Sequence, residues 1–569
     1  VTASTTALDS SAARAGAELA GAAPHLVDDY RAALPRAADL VGRRLLGALW
    51  REDVADTRAC PPGPGRRHGF DRIEFDRSPA DDPVALLPPS IVDGPGRSLA
   101  AELTDAVVNL AVAYARRAAG AMPDAPGGGL DPDERALRTE RLAVDGHNLH
   151  PCGRTRLGWR VPDLLAHDLE AGGTTVGFVA VRRELPVGDD IGAVLADAYP
   201  DLPAPPPGYR LQPVHAWQLD AVLPDRYADL LAGGDLRRLP VRLPAAPTAA
   251  LRTLLLPPGA DGHRRYLKLS LDIQVTSTRR SISVASTRNG PALSALLPTL
   301  AARHPEGSRV LLLPEYAGAA VPVGPGRDRD MAAILRAGLG GRLAPGEVAV
   351  SGCALPAVDP GTGRTVLAGL VDGYAAARGR ADRAGAALGF VEEYARLLLP
   401  PVLGLAARYG VGLEAHLQNC LPTFRDGVPH RLVLRDFAGL RLHRPRLAAA
   451  GVRLALWPGS VVGTDDVGVL RAKVGYTALQ AHLGELVVSL AGSHALDEAA
   501  AWRRVRAVVD EAYAALAEET ATPALAGAAR ADHAALTAPR VPHKALVRMR
   551  LAGAGDVYHP VHNPLHDGR

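Results

Sequence analysis

Tyr266-Leu267-Lys268-Leu269-Ser270-Leu271-Asp272-Ile273-Gln274-Val275 alternates between large and polar side chains along its whole length. Successive side chains of a strand point to opposite faces. Leu267, Leu269, Leu271, Ile273 and Val275 therefore share one face, and Lys268, Ser270, Asp272 and Gln274 the other. A strand with one apolar face needs a sheet and a core. Outward from it, Gly172–Val181, Arg309–Leu313 and Arg431–Phe437 read as further strands, the last of them buried. Helical spacing marks Leu99–Met122 (Leu103, Val107, Leu110, Ala111, Tyr114), which stops at Pro123 and the loop Pro126–Gly129. Ala381–Leu399 reads as an amphipathic helix closed by Pro400 and Pro401, and Val467–Ala491 and Leu496–Ala517 as long helices. Pro61–Gly65 and Pro203–Gly208 read as surface loops.

The pattern predicts an α+β fold. Residues 1–140 form a mainly helical N-terminal region, 141–380 a central mixed-sheet region, and 381–569 a C-terminal sheet-plus-helices domain. A chain of 569 residues is too long for one ordinary core, and its 47% hydrophobic content supplies enough apolar material for two or three.

Charge and cysteine usage exclude several classes. The 64 basic and 61 acidic residues leave a formal net charge of +3, with arginine pairs scattered rather than clustered, which argues against a nucleic-acid partner. Cys60, Cys152, Cys353 and Cys420 are far apart, so neither a disulfide framework nor a Cys-x-x-Cys zinc site is expected, and a reducing cytoplasm is the simpler setting. Val1–Tyr30 has no signal-peptide pattern. No stretch reaches the length of about 18 apolar residues that a membrane span needs. Of the 64 basic residues only Lys268, Lys473 and Lys544 are lysines. In a chain so biased toward arginine, a surviving lysine marks a place where a compact ammonium differs from a guanidinium.

Four segments carry chemistry. Glu414-Ala415-His416-Leu417-Gln418-Asn419 and Arg435-Asp436-Phe437-Ala438-Gly439 form the first. Asn419 and Asp436, 17 residues apart on the edges of a hairpin-like unit, are hard oxygen ligands suited to Mg²⁺ and a nucleotide. The pairing matches the metal geometry of protein kinases, but no glycine-rich loop with its lysine strand accompanies it. The second segment follows the alternating strand: Thr276, Ser277, Thr278, Arg279, Arg280 and Ser281, then Thr287, Arg288, Asn289, Gly290 and Pro291. Hydroxyls and guanidinium groups in a loop suit a triphosphate. The third, Asp145 to Trp159, offers His147, His150, Arg154, Thr155 and Arg156 among glycines, an anion-binding loop. The fourth runs from His543-Lys544 to Leu551, where Lys544 suits a carboxylate; the histidines that follow lack a third metal ligand.

In order, Gly146-x-x-x-His150-Pro151-x-x-Arg154-Thr155-Arg156-x-Gly158, Lys268 to Leu271 with Thr276-Ser277-x-x-Arg280-Ser281, Asn289-Gly290-Pro291, Glu414-x-His416-x-Gln418-Asn419, Arg435-Asp436-Phe437-x-Gly439 and the Lys544 segment resemble the NRPS-independent siderophore synthetases, the IucA/IucC family, over roughly residues 140 to 565. The resemblance implies a cupped hand of three regions, a homodimer, and an ATP-dependent, AMP-forming ligase. Such an enzyme adenylates citrate or a related acid, then joins it to an amine or alcohol. It also implies roles. His150, Arg154, Thr155, Ser277, Arg280 and Ser281 hold ATP phosphates; Gln418, Asn419 and Asp436 serve nucleotide and Mg²⁺, with Asn419 and Asp436 on the metal; His416, Lys544 and Arg288 face the carboxylate substrate.

Three departures stand out. Asn148 occupies a position that is commonly proline in the family and Arg154 one that is commonly lysine, while Ala481 stands where an asparagine is frequent. Two other classes share parts of the pattern: a small-molecule phosphotransferase, which would release ADP, and a non-catalytic ferric-siderophore binder. The related iron-siderophore reductases use a terminal cysteine cluster, and the last cysteine here is Cys420.

Overall fold

The computed structural model describes residues 6–120, 130–519, 523–553 and 555–567. The predicted helix end at Met122, Pro123 and the glycine loop through Gly129 lie outside them. Helices α1 (Val27–Glu52) and α2 (Arg97–Ala118) pack together at the N-terminal end. Leu99, Leu103, Val107, Leu110 and Ala111, spaced three or four apart, bury one face of α2 completely. The region is not wholly helical. Just after the expected loop Pro61–Gly65, an antiparallel hairpin that the sequence reading did not anticipate pairs Gly65–His68 with Arg72–Phe75, and Phe75 meets Trp50 edge-on at 6.4 Å.

An eight-stranded sheet dominates the centre. Its order is Val187–Gly188, Glu315–Ala320, Ala332–Ala337, Arg265–Leu269, Thr253–Leu255, Leu236–Pro247, Thr174–Arg182 and Tyr209–His215, all neighbours antiparallel. The alternating segment that anchored the sequence reading is two strands rather than one. Arg265–Leu269 lies in this sheet, and Leu271–Val275 turns into a second sheet with Thr278–Arg280 and Arg156–Leu157. Ser270 sits at the crossing, donating from its N–H to the Ala332 carbonyl (2.9 Å) and from its hydroxyl to the Arg329 carbonyl (2.8 Å). The apolar face is buried as expected. Lys268 and Ser270 on the polar face are buried too, because that face lines the interior of the candidate site.

A four-stranded sheet joins centre to C-terminus: Val310–Leu312, Val428–Leu434, Cys420–Arg425 and Glu347–Ala349, with only the first pair parallel. Asp426 and Gly427, both at positive φ, close the hairpin between its middle strands. The strand expected to reach Phe437 ends at Leu434. Helix α3 (Val284–Ala301) contains Thr287–Pro291, so that stretch is helical rather than looped. Helix α4 (Arg383–Tyr409) runs straight through Pro400 and Pro401. Proline removes an intrahelical bond, but Leu397, Leu398, Leu399, Val402 and Leu403 are fully buried around the pair, and that packing outweighs the loss. The helical run Val467–His494 contains a π-helical segment, Gly475–Leu483. No helix among the described residues is long and apolar enough to cross a membrane.

Candidate functional site

The junction of the two sheets places Asp436. Leu434 pairs with Leu312, the Leu313 N–H donates to the Leu434 carbonyl (2.9 Å), and two residues later Glu315 enters the eight-stranded sheet. Just past its strand, the Arg435 N–H donates to the Asn419 carbonyl (3.0 Å), so the two polar islands are held together by backbone. Asp436 then adopts φ +66, a left-handed conformation that turns its side chain out of the strand line.

On the facing sheet, register sets the partners. Glu315 lies opposite Arg336, and Arg336 opposite Tyr266, over whose ring its guanidinium sits at 4.7 Å. Lys268, two residues from Tyr266, projects from the same face. Its ammonium donates to both Asp436 oxygens at 2.7 Å. Burial pushes the Asp436 carboxyl up, but Lys268, Arg252 and Arg336 outweigh it and hold the group well below the usual carboxylate range.

A cleft of about 530 Å³ opens here, lined by Arg252, Arg280, Arg336, Gln418, Asn419 and Asp436 among others. Arg280 donates to the Val275 carbonyl (3.0 Å) and the Thr276 hydroxyl (3.1 Å), while its Nε is buried without a partner. Burial, then Arg252 and Arg156, lower its pKa to about 9. Arg336 Nε is likewise buried and unpartnered. Arg435 is spoken for, donating to the buried Glu140 carboxylate at 2.8 Å and to the Gln418 carbonyl at 3.0 Å. Behind Lys268, both oxygens of buried Glu315 lack a hydrogen-bond partner, and burial raises its pKa. The cleft therefore holds more cation than anion, with donors left open: chemistry that fits a polyanion.

Asn419 donates from Nδ2 to the Glu414 carbonyl at 3.2 Å, which leaves its amide oxygen as a free acceptor. Glu414 pairs with Lys473 at 2.8 Å. Burial opposes ionisation of Glu414, yet Lys473 and then His416 hold its carboxyl at about 2. Burial lowers the pKa of His416, while Glu414 pulls the other way. Beneath them His482 is fully buried, its Nδ1 2.9 Å from the Ala415 carbonyl and its Nε2 2.8 Å from the Tyr394 hydroxyl. A carbonyl can only accept, so Nδ1 carries the proton and Tyr394 donates to Nε2. That neutral imidazole holds the His416 segment in place, and burial keeps its pKa at about 4. All three lysines thus meet carboxylates, the third being Lys544 with Asp556 at 2.7 Å.

The remaining expected residues divide. His150 is buried with Nε2 unpartnered, and His147, Arg550, Lys544 and Arg280 are near enough for their charges to disfavour its protonation. Arg154 and Thr155, expected at phosphates, are turned inward instead. Arg154 is spent on Asp168 (3.2 Å) and Glu170 (2.9 Å), and the Thr155 hydroxyl donates to the Glu102 carbonyl (2.8 Å). Ser277 and Ser281 present carbonyls to Arg550 (3.4 Å) and Arg252 (2.9 Å). Arg288 stands apart on α3, half exposed, 3.7 Å from Asp189 and over the Trp457 ring. Arg252, Arg336 and Glu315 are the residues the motifs missed. Each stands alone in its segment, and only strand register brings them together.

Sequence models of two families match the chain: the IucA / IucC family over residues 135–357, and the ferric iron reductase FhuF-like transporter family over 389–558. The D-ornithine–citrate ligase of Staphylococcus aureus (strain NCTC 8325 / PS 47) is 26% identical over 473 residues, covering 76% of this chain and 70% of that protein. Over residues 135–357 the chain belongs to the IucA / IucC family. Another relative, the citryl-spermidine/3,4-dihydroxybenzoyl-citryl-spermidine:spermidine ligase of Bacillus anthracis, is 26% identical over 339 residues, 54% of this chain and 52% of that one. The IucA / IucC fold extends across the chain. The petrobactin biosynthesis protein AsbB from Bacillus anthracis str. Sterne superposes with a TM-score of 0.76 at 19% identity, covering 100% of this chain and 99% of AsbB. ATP-bound aerobactin synthetase IucA from Klebsiella pneumoniae gives 0.71 at 19% identity, covering 93% of this chain and 99% of that one.

Proposed function

We propose that the protein is an ATP-dependent, AMP-forming ligase that activates a carboxylic acid, citrate or a related di- or tricarboxylate or half-acid, and joins it to an amine or alcohol in siderophore-type biosynthesis. The observation that carries this reading is the cationic cleft around Asp436, in which Arg280 and Arg336 keep buried, unpartnered Nε–H donors. The names of the relatives, ligases of citrate with ornithine and of citryl-spermidine with spermidine, support the substrate classes.

In the first half-reaction a carboxylate oxygen attacks the α-phosphorus of ATP, the bond to pyrophosphate breaks, and an acyl-adenylate forms. Two anions must be brought together, and Arg252, Arg280 and Arg336 lower that repulsion and hold them in line. Gln418 and Asn419 position the nucleotide, and His150 offers its open Nε2. His416 and Lys544 face the acid; Lys544 is the anchoring cation and Asp556 its counter-charge in the free protein. In the second half-reaction the acceptor nitrogen or oxygen attacks the acyl carbon, AMP leaves, and the acceptor's proton passes to a base. His416 suits that task, since burial favours its neutral form.

Mg²⁺ fits the donor set through Asp436 and the free amide oxygen of Asn419. Such an ion takes few protein oxygens and completes its shell with phosphate and water. It would supply charge neutralisation on the phosphates. Asp436 must first be released by Lys268, and the unpartnered Glu315 beside Lys268 is placed to receive it.

The test is a pyrophosphate-release screen of carboxylic acids, with the nucleotide product identified. AMP that depends on one acid supports the ligase. ADP would mark a phosphotransferase, the reading that shares the Asn419/Asp436 site. Ferric-siderophore binding without turnover would favour the FhuF-like match over residues 389–558.

A further inference from the structure

A second cavity, about 1250 Å³ with its open mouth, lies between the end of α1, the Gly65–Phe75 hairpin and the loop Gly146–Leu149. Its wall is charged, and that charge is mostly answered within the protein. Arg72 donates to Glu485 and to Glu74, both at 2.6 Å, and Asn148 donates to Glu485 at 2.8 Å. Glu52 accepts from the Val547 N–H at 3.0 Å and the Arg548 N–H at 2.7 Å. Arg51 is different. It is 6% exposed, its Nε is buried without a partner, and no described side chain forms an ion pair or hydrogen bond with its guanidinium. The charge that acts on it most strongly is another cation, Arg72, ahead of the opposing Tyr476, Glu52 and Glu485. A buried cation without a counter-charge is costly, and a protein gains from keeping one where a ligand supplies the anion.

We propose that this cavity is the acceptor pocket and that Arg51 pairs with a carboxylate of the acceptor, which is therefore an amino acid rather than a plain amine or alcohol. The inference rests on the ligase reading and adds the class of its second substrate. Two observations favour an acceptor over the activated acid. The cavity is backed by Asn148 and Leu149, which lead into His150, and by His543, which precedes Lys544, so it adjoins both segments that reach the reacting groups. Glu52, Glu74, Asp145 and Glu485 share its wall with the arginines, so it offers acidic partners for amino groups as well as a basic one for a carboxylate. One carboxylate and one or more amino groups complement that arrangement.

The experiment pairs ornithine, lysine, 2,3-diaminopropanoate and serine each with the same molecule lacking the carboxylate: putrescine, cadaverine, ethylenediamine and ethanolamine. Wild-type, Arg51→Met and Arg51→Lys proteins are compared by thermal shift without ATP, and by AMP release with the acid that the screen identifies. At least one amino acid raises the wild-type Tm while its counterpart does not, and Arg51→Met removes that shift. Without ligand Arg51→Met melts at or above wild type, because an uncompensated buried charge has gone. In turnover the wild type prefers the amino acid by roughly 10- to 100-fold in kcat/KM. Arg51→Met brings the ratio near one through KM, and Arg51→Lys keeps part of the preference. Equal treatment of every pair overturns the proposal, as does an Arg51→Met protein that keeps the shift or unfolds outright. An amino-acid shift lost in Arg51→Met, with no acid yielding AMP, upholds the pocket and sinks the ligase reading instead.

Discussion

Lys268 bonded to both oxygens of Asp436, with Glu315 unpartnered beside it, gives the site two places for one proton-rich side chain. Breaking a buried ion pair by removing one partner costs about 3–5 kcal/mol when the other is stranded. Here Lys268 has somewhere to go, so Asp436→Asn is expected to cost less than that in urea unfolding while lowering acid-dependent pyrophosphate release by about 100-fold or more. Adding Glu315→Gln should bring the full penalty. The two substitutions are then non-additive; simple additivity would show that Glu315 never receives Lys268. Glu414 gives the pH prediction. Its folded pKa, about 2, lies below the ordinary 4.5, so its contribution to stability is complete above pH 4.5 and is lost as pH falls toward 2. Glu414→Gln should therefore be less stable than wild type near neutrality, and its Tm should fall less steeply over that acid window. Parallel Tm curves for the two proteins would refute the assignment.

The elements that carry these residues were legible where a local pattern forced them. The alternation over Tyr266–Val275 and the helical spacing in α2 survive in the structure because each marks a buried apolar face. Boundaries were less legible, since distant packing decides them. The break at Ser270 depends on carbonyls of Arg329 and Ala332, and the passage of α4 through Pro400 and Pro401 on apolar neighbours from other segments. The motifs likewise pointed to Asn419 and Asp436, which line the cleft, but not to Arg252, Arg336 or Glu315, which owe their meeting to strand register. They also could not say that Arg154 would be consumed by Asp168 and Glu170. The lysine bias was informative for a physical reason: an ammonium sits as a point charge between two carboxylate oxygens, where a planar guanidinium needs a wider approach. Close approach also fixes Gly439. A Cβ there would lie 1.7 Å from Glu414 Oε2. Gly439→Ala must displace that carboxylate from Lys473, and we expect acid-dependent turnover to fall by at least about tenfold with the secondary structure unchanged by circular dichroism. Wild-type turnover in Gly439→Ala would mean that the position of Glu414 is immaterial.

Across the molecule, one carboxylate links segments that the sequence separates widely. Glu140, at the end of the helix Pro132–Glu140, accepts from Arg435 at 2.8 Å, from the Ala249 N–H at 2.9 Å and from the Ser351 hydroxyl at 3.3 Å. Ala249 and Arg435 both line the cleft at Asp436, so the same hub that joins the N-terminal helices to the two sheets also sets the shape of the site. It works by neutralising Arg435, which would otherwise add a fourth uncommitted guanidinium to Arg252, Arg280 and Arg336. Glu140→Ala strands that cation and leaves the Ala249 N–H without its acceptor, and should cost about 3–5 kcal/mol in urea unfolding. Glu140→Gln keeps a carbonyl oxygen for part of this bonding but loses the charge, and should cost measurably less. Because the bonds span the N-terminal, central and C-terminal parts of the chain, fluorescence and circular dichroism should both move to lower urea in Glu140→Ala. A shift in one probe alone would show that the parts unfold independently and that Glu140 is a local contact rather than the joint between them.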